Sequence, residues 1–468
     1  MLAWIRSRPK TFFTILLLGA LLRLVFILQF PLVQGDSEMY SEIARTWLHE
    51  GTFGMEQPEG IVPTYVRLPG YPGFLAAIFA LGGDSPGMRP AMYAQMLFDL
   101  LTCVIIARIA LELFSERVAW TAFLLAAVCP FTANYVALPL TETLSIFATA
   151  LAVLFAVLGL RDMRMTDWVG CGLATALAIL LRPDGMILLL GLGLYLLWSF
   201  VRATTRWPVV RAGLVLLLFA LLPLTPWTYR NWKVFHEFQP LAPRYANTPE
   251  EFVTHGFNRW TKTWVADYVS VEDFFWKMPG DGVGEEVDAS RLPERAFDSA
   301  AQRAETLAVL ADYNREFHIT PELDARLAAL ARQRIEDAPL RYYVWLPALR
   351  IADMWLRPRI EMLPLETRWW EFDDPPESAV AIAMGALNLL LLGAAMWGAL
   401  TFRAMPAVAL MVTITLLRTV FLGTLENPEP RYTLECYPMV LVLAAVVVAG
   451  LSARFRPVTH AELGAEVL

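Results

Sequence analysis

Charge is scarce in this sequence. Only 18% of its 468 residues are Asp, Glu, Lys or Arg, whereas soluble domains carry about 25%. Hydrophobic residues make up 57% of the chain. The formal net charge of -7 leaves no basic stripe that could neutralise a phosphate backbone, which argues against a nucleic-acid partner. The composition is that of a membrane protein.

Cysteine and histidine are also rare. The four cysteines all lie in apolar runs without paired ligand spacing, so neither a zinc site nor a secreted disulfide framework is supported. The five histidines show no ligand spacing either. We therefore assign none of these nine side chains to chemistry, and we interpret the cysteines as small core residues.

Long apolar segments dominate the chain. Each has about 15 to 25 residues, near the length that crosses a hydrocarbon core of about 30 Å. The first follows basic residues and has no small-residue cleavage site, which predicts a retained helix. The fold class that follows is an all-α integral membrane protein, with a bundle of about ten or more helices. The predicted spans lie at 11–30, 88–110, 118–137, 140–160, 168–181, 185–200, 209–227, 378–401, 404–423 and 433–450.

Basic residues in the short connections predict the orientation. They all fall on one side of the predicted bundle, which by the positive-inside rule is the cytoplasmic side and holds both termini. We divide the chain into an N-terminal transmembrane module at 1–228 with a first outer loop at 31–87, an outer segment at 229–377, and C-terminal transmembrane helices at 378–468. The outer segment is polar and mostly helical in pattern, and we expect it to act as a lid or as an acceptor-docking surface.

Several local signals predict where helices begin and end. Residues 73–81 are apolar but too short to cross, which predicts an interfacial or re-entrant helix in the first outer loop. Asp184 follows a proline and is expected to cap the next helix, and Thr320 is expected to cap another. Residues 342–356 are amphipathic and contain Arg350, which predicts a helix lying on the surface.

The first outer loop carries the most suggestive chemistry. A helix-like run at 38–49 is closed by Gly51 and preceded by Asp36. The simple interpretation of Asp36 is helix N-capping. The functional interpretation is a general base at the membrane surface that takes a proton from an acceptor. Glu38 completes a D-x-E spacing that would suit a divalent cation held by oxygen ligands, and the sequence identifies no other cofactor.

Basic residues at predicted outer helix ends contradict the positive-inside tendency, and therefore indicate an anionic partner such as phosphate. Arg67 is the natural counterpart of Asp36, because a guanidinium group can contact a phosphate with two donors. A positively charged interfacial anchor is the alternative. Glu142 begins a span at the outer face, where a carboxylate is either functional or paired with the helix dipole. The candidate substrate-binding residues are Arg67, Glu38, Tyr65, Glu142, Arg182, Arg230, Lys233, Arg431 and Tyr432.

These motifs together resemble the bacterial branch of the GT-C glycosyltransferases, the relatives of protein O-mannosyltransferases and of the aminoarabinose transferases that modify lipid A. The likeness covers most of the chain in order. The motifs that carry it are Gly35-Asp36-Ser37 with Tyr40, Arg67 with Pro69-Gly70-Tyr71-Pro72, Leu181-Arg182-Pro183-Asp184-Gly185, Pro226-Trp227 with Arg230-Asn231, and Arg431-Tyr432.

The resemblance implies a GT-C bundle with its active site in the first outer loop. It also implies a polyprenyl-phosphate-sugar donor and direct displacement with inversion, with Asp36 at the catalytic acidic position and Arg67 near the donor phosphate. The mannosyltransferases have two adjacent acids, whereas Ser37 follows Asp36 here. No long soluble domain follows the last span, which argues against an oligosaccharyltransferase.

The resemblance leads us to expect an enzyme of the bacterial inner membrane that acts on a glycan, lipid or protein acceptor. The alternative from another class is a transporter or flippase of an anionic lipid or lipid-linked sugar. That alternative lacks an evident internal repeat and has few charges at mid-membrane depth. Neither the sugar nor the acceptor follows from the sequence.

Overall fold

The computed structural model describes residues 1–33, 35–85, 87–248, 251–280 and 282–454. Helices account for nearly all of the regular structure in these ranges, with short 3₁₀ and π turns between them. The α-helices are α1 (Leu2–Ser7), α2 (Pro9–Gln29), α3 (Asp36–Glu50), α4 (Gly70–Ile78), α5 (Arg89–Leu113), α6 (Glu116–Ala127), α7 (Pro130–Ala133), α8 (Glu142–Asp162), α9 (Met165–Leu181), α10 (Met186–Arg202), α11 (Trp207–Leu221), α12 (Thr225–Phe235), α13 (His255–Thr261), α14 (Tyr268–Ser270), α15 (Ala300–Glu316), α16 (Pro321–Asp337), α17 (Leu346–Leu356), α18 (Pro375–Thr401), α19 (Pro406–Gly423) and α20 (Tyr437–Arg454).

Membrane-spanning helices form the larger part of the molecule, which confirms the all-α membrane fold. Seven helices in the described ranges are long and apolar enough to cross a membrane, or eight if one bent pair counts as a single span. The bent pair joins Glu116–Ala127 to Pro130–Ala137 at 46°. Of the other predicted spans, α5 has 25 residues and α9 has 17. The seven are Pro9–Gln29, Glu142–Asp162, Pro183–Arg202, Trp207–Phe235, Pro375–Thr401, Pro406–Gly423 and Pro430–Leu451.

A buried ion pair holds the bent pair against its neighbours. Arg23 on α2 pairs with Asp99 on α5, and both side chains are almost completely buried. Arg23 also donates to the carbonyl oxygens of Ala126 (3.3 Å) and Ala127 (2.6 Å), where α6 ends. The guanidinium group therefore supplies a donor to the carbonyl oxygen of Ala127 at the helix break inside the membrane.

The first outer loop folds as a compact unit. Helix α3 ends at Glu50 and is followed by Gly51, as the sequence predicts, because the φ of 69° at this position is readily adopted only by glycine. A small antiparallel hairpin follows, with β1 (Gly54–Gln57) paired to β2 (Gly60–Pro63), which the sequence analysis does not anticipate. Helix α4 then provides the predicted short helix and ends in a π turn at Phe79–Gly83.

The outer segment has an apolar core of its own, built from α13 to α16 and the loops between them. The Thr320 hydroxyl accepts from the backbone of Leu323, so the predicted cap of α16 is confirmed. The prediction of a surface helix at 342–356 is wrong in one respect. Arg350 is fully buried, because it donates to the carbonyl oxygens of Val265 (2.9 Å) and Lys262 (2.5 Å).

The domain division stays a prediction. Helix α12 crosses the proposed boundary at 228/229, and α18 begins before the boundary at 377/378. The four cysteines are free and buried, as expected for small core residues.

Candidate active site

A cavity of about 810 Å³ lies between the ends of the membrane helices and the outer segment. Its membrane side includes the start of α3, the loop before α8, the turn between α9 and α10, and the segment before α20. Its other side is formed by parts of 242–258 and 275–280 from the outer segment. Six of the candidate residues line it: Asp36, Arg67, Glu142, Arg182, Arg431 and Tyr432.

Asp36 is the first residue of α3, and Gly35 occupies the N-cap position. The prediction of an N-cap is therefore wrong. Its Oδ1 accepts from Nη2 of Arg67 at 2.6 Å, and the Asp36 side chain is 42% exposed, toward the cavity. Burial raises the pKa of the Asp36 carboxyl, but the opposite charge and hydrogen bond of Arg67 lower it further, so the pKa lies below its usual value. Asp36 is an ionised carboxylate held by Arg67.

Arg182 is the centre of an acidic cluster. Its guanidinium group lies 3.1 Å from Glu142, 3.2 Å from Asp184 and 3.4 Å from Glu435. Burial lowers the pKa of Arg182, but these carboxylates raise it more, so the side chain remains charged. Asp184 does not cap α10, contrary to the sequence prediction, because its carboxylate pairs with Arg182 and with Arg418.

Arg431 and Tyr432, in the segment before α20, extend this cluster to Glu429. Arg431 lies 3.6 Å from Glu142 and 2.6 Å from Glu429. The Tyr432 hydroxyl donates to Glu429 at 2.6 Å, and the guanidinium group of Arg182 lies 5.1 Å from the centre of the Tyr432 ring. Glu142 is thus shared by two arginines, and its Oε2 is buried without a hydrogen-bond donor among the described residues.

Four candidate residues lie outside the cavity lining. Glu38 is exposed, so the two carboxylates of the D-x-E spacing do not face the same space. The Tyr65 ring is buried against Phe235, and its hydroxyl donates to Glu237 at 3.2 Å. We leave these two side chains out of the proposed site.

The other two candidates outside the cavity are cations of α12. Arg230 donates to the carbonyl oxygens of Phe53 and Thr64, each at 2.7 Å, so it fastens the first outer loop to α12. Lys233 is exposed and lies 5.7 Å from the centre of the Tyr229 ring. Neither cation faces the space in front of Asp36, and we leave both out of the site as well.

Sequence reasoning missed the charges behind the cavity. Arg418, in the second half of α19, pairs with Asp184 at 2.9 Å and with Glu435 at 2.8 Å, and its side chain is 5% exposed. An arginine inside an otherwise apolar helix was an available signal, because such a charge must find a partner within the protein. Glu429 and Glu435, which flank Arg431-Tyr432, carried the same signal. Among the described residues no group of three or more His, Cys, Asp or Glu is arranged to hold a metal ion.

Comparisons with known proteins agree with this architecture. The family profile described as dolichyl-phosphate-mannose-protein mannosyltransferase matches residues 66–227, which include Arg67, Glu142 and Arg182. A comparison with curated protein sequences gives no match.

Among solved structures, the apo oligosaccharyltransferase of Archaeoglobus fulgidus has a TM-score of 0.54 at 13% identity, over 94% of this chain and 50% of that one. AglB of the same organism, in complex with an inhibitory peptide and a dolichol-phosphate, has a TM-score of 0.51 at 13% identity, over 96% and 51%. Apo ArnT from Cupriavidus metallidurans is 16% identical over 93% and 77%, with a TM-score of 0.42.

The chain spans about half the length of the oligosaccharyltransferases it matches. At 13% identity the likeness concerns the fold alone. It confirms the multi-helix membrane architecture that the resemblance in the sequence motifs implies. The chain is an integral membrane protein with the fold of the GT-C glycosyltransferases.

Proposed function

We propose that this protein is a glycosyltransferase that moves a sugar from a polyprenyl-phosphate-linked donor to an acceptor in the cavity at the outer membrane face. The observation that carries the proposal is the Asp36–Arg67 pair. A carboxylate and a guanidinium group lie 2.6 Å apart in a cavity that also has an apolar side at the ends of membrane helices. This combination suits a reaction in which a proton leaves the acceptor while a lipid phosphate departs.

Asp36 is the proposed general base. Its free lone pairs accept the proton of an acceptor hydroxyl or amine as the acceptor atom attacks the anomeric carbon. The bond from that carbon to the phosphate oxygen breaks, and polyprenyl phosphate leaves with the electron pair. Because attack and departure occur on opposite faces of the sugar, the anomeric configuration inverts. General bases of this kind contribute about 10²- to 10⁴-fold to the rate.

A carboxylate with a lowered pKa is a weak base until its cation is neutralised. In the proposed complex the donor phosphate contacts Arg67, which weakens the attraction between Arg67 and Asp36. Burial then raises the pKa of Asp36 toward the range in which it accepts a proton efficiently. Arg67 can therefore bind the donor phosphate while Asp36 acts as the base, because the phosphate that contacts Arg67 also raises the pKa of Asp36.

Arg67 and Arg431 are the proposed phosphate ligands. Arg182 is less suited to the task, because three carboxylates lie within 3.4 Å of its guanidinium group. We assign to Arg182 and Glu142 the role of holding the charged side chains in place, and to Tyr432 a position beside the sugar. Stabilising the departing phosphate by preorganised donors is the kind of interaction that often dominates such barriers.

The part of the cavity wall formed by the membrane helices includes Met186 and Ile187 of α10 and Phe421 near the end of α19. These apolar side chains would accept the first isoprene units of the donor. We place the cavity on the outer face of a bacterial inner membrane, with both termini in the cytoplasm. AglB, a protein of similar fold, has been solved in complex with a dolichol-phosphate, which supports a lipid phosphate as the donor carrier.

The test is the release of free polyprenyl phosphate. Purified protein is incubated with candidate polyprenyl-phosphate sugars and a panel of glycan, lipid and peptide acceptors. We expect one donor to yield free polyprenyl phosphate and glycosylated acceptor. Asp36→Asn should lower this rate by about 10²- to 10⁴-fold with unchanged abundance.

Glu38→Gln is the matched control, since it removes a neighbouring carboxylate that lies outside the cavity. If Asp36→Asn turned over as fast as the wild type, the role of Asp36 as base would be wrong. If proteoliposomes moved intact donor across the membrane without releasing its phosphate, the protein would be a transporter and the proposal would fail.

A further inference from the structure

A second cavity, of about 290 Å³, lies between α10 and α11. Helix α10 begins at Met186, which lines the first cavity, and ends at Arg202, about 24 Å further along the helix axis. The second cavity begins at Leu189, about one turn beyond Met186, and runs along α10 to Phe200, near the opposite end of the helix. It is lined by apolar side chains and two glycines: Leu189, Gly193, Leu196, Leu197, Phe200, Val209, Val210, Gly213, Leu216 and Leu217.

The glycines create this groove. A Cβ added at Gly193 would meet no heavy atom within 4 Å, and one added at Gly213 would only reach Leu196 at 4.0 Å. On α10 the groove runs from Leu189 to Phe200, a distance of about 16 Å. This length is about half of a hydrocarbon core of about 30 Å, so the groove matches the depth of one leaflet. It suits one acyl chain.

Two arginines stand at the end of the groove that faces the membrane surface. Arg202 lies 4.6 Å from the centre of the Trp198 ring, and Arg206 lies 5.2 Å from that of Phe200, which itself lines the groove. Neither forms an ion pair with a carboxylate in the part of the chain that the structure describes. Arg161, in another connection on the same side, instead pairs with Asp162 at 2.9 Å. The arginines at the groove thus retain donors for an anion.

We propose that this groove is a binding site for an anionic phospholipid of the leaflet opposite the proposed active site. One acyl chain lies between α10 and α11, and the phosphate accepts hydrogen bonds from Arg202 and Arg206. A second copy of this chain fits less well, because a twofold contact at this face would bring the arginines of both copies together. A zwitterionic lipid fits less well too, since its ammonium group would meet two cations.

Lipid-dependent thermal unfolding of the purified full chain in neutral detergent tests this site. Phosphatidylglycerol and phosphatidylcholine with identical acyl chains are titrated separately, and bound lipids are counted by native mass spectrometry. We expect phosphatidylglycerol to bind about ten- to thirtyfold more tightly, as two cations near an anionic headgroup allow. Ligand binding to the folded state should raise Tm in proportion.

Two kinds of variant distinguish binding of the lipid's acyl chain from binding of its headgroup. Gly213→Leu fills the groove and should abolish the phosphatidylglycerol-dependent rise in Tm, and Gly193→Leu provides an independent variant should one fail to fold. Arg202→Gln with Arg206→Gln should make the two lipids equivalent. The matched controls are Gly393→Leu and Arg403→Gln, which alter the membrane helix α18 and the connection after it. Gly393 likewise has open space around an added Cβ, and both controls should keep the full lipid effect.

Equal binding of the two lipids by the wild type would overturn the anionic assignment. If both glycine variants still bound phosphatidylglycerol, the groove would not be the site of the acyl chain. If Gly213→Leu instead converted a dimer to a monomer in light scattering, the groove would be covered by a second copy and the proposal would be wrong.

Discussion

Two arginine–aspartate pairs in this protein have the same chemistry and different surroundings. In the Arg23–Asp99 pair the side chains are 0% and 2% exposed, and Arg23 also binds backbone carbonyl oxygens at a helix break. In the Arg67–Asp36 pair they are 18% and 42% exposed and face a cavity. The first pair is enclosed by the fold, whereas the second borders a space that a ligand can enter.

The comparison indicates which pair stabilises the fold and which is available for chemistry. A charge inside the membrane persists only when its partners are part of the structure. A pair that faces a solvent-accessible cavity can exchange its partner for a phosphate or a hydroxyl at little cost to folding. A third pair, Arg418–Asp184, lies between these cases, because it is buried yet adjoins Arg182 in the cavity.

The largest effect is expected from breaking the buried pair. Asp99→Asn leaves the charge of Arg23 buried without its counterion, which should cost about 3–5 kcal/mol of unfolding free energy. Thermal unfolding in detergent should show a strongly lowered Tm and a low yield of protein. Asp84→Asn, which breaks the exposed pair with Arg45, is the matched control and should cost about 0–1 kcal/mol.

If Asp99→Asn were as stable as the control, the buried pair would not hold the bent segment of α6 and α7. The Arg23–Asp99 pair would then contribute no more to stability than an exposed pair, and the proposed difference in role between it and the Arg67–Asp36 pair would be wrong.

A smaller effect is expected at the intermediate pair. Arg418→Met removes the cation that holds Asp184 and Glu435 in front of Arg182, without touching the cavity surface itself. We expect kcat for glycosyl transfer to fall about tenfold, since losing one charge-assisted contact costs about 1.5–3 kcal/mol and part is recovered by rearrangement. Arg418→Lys, which keeps the charge, should recover part of kcat.

A purely structural role for Arg418 would predict a different result. The Met and Lys variants would then lower Tm and yield equally while the surviving protein kept its full kcat. Measuring kcat per folded molecule therefore distinguishes a positioning residue from a packing residue.

The sequence predicted features that depend on neighbouring residues. Gly51 and Thr320 were placed correctly because a helix end is decided within one turn. Asp36 and Arg67 were paired because both lie in the same outer loop. The Pro183-Asp184-Gly185 break likewise indicates a helix end, and Arg182 does lie directly after α9.

Other features depend on the direction in which a side chain points around its helix. The distribution of charge along the sequence does not indicate that direction. Arg230 lies within α12 and donates to the carbonyl oxygens of Phe53 and Thr64 rather than facing the cavity. Arg418 and Asp184 are 234 residues apart in the chain, so nothing local indicates that they meet. The sequence therefore indicates which side chains lie near a helix end, but it does not indicate the direction of a side chain around its helix.

The smallest expected effect is a shift in the pH dependence of transfer, and it tests the open pair directly. Asp36 must be deprotonated to act as a base, and Arg67 holds its pKa below the usual value. The acid limb of kcat/KM, which reports the free enzyme, should therefore lie below the ordinary aspartate range. In Arg67→Gln, burial remains while the opposite charge is lost, so the pKa of Asp36 rises and the limb moves to higher pH.

The comparison is made between pH profiles that are each scaled to their own plateau, because Arg67→Gln is also expected to weaken donor binding. Lys233→Gln removes an exposed cation outside the cavity and should leave the acid limb where the wild type has it. If Arg67→Gln and the wild type shared the same limb, the titrating group would not be the carboxylate paired with Arg67. Asp36 would then be a structural partner of Arg67, and the open pair would resemble the buried one.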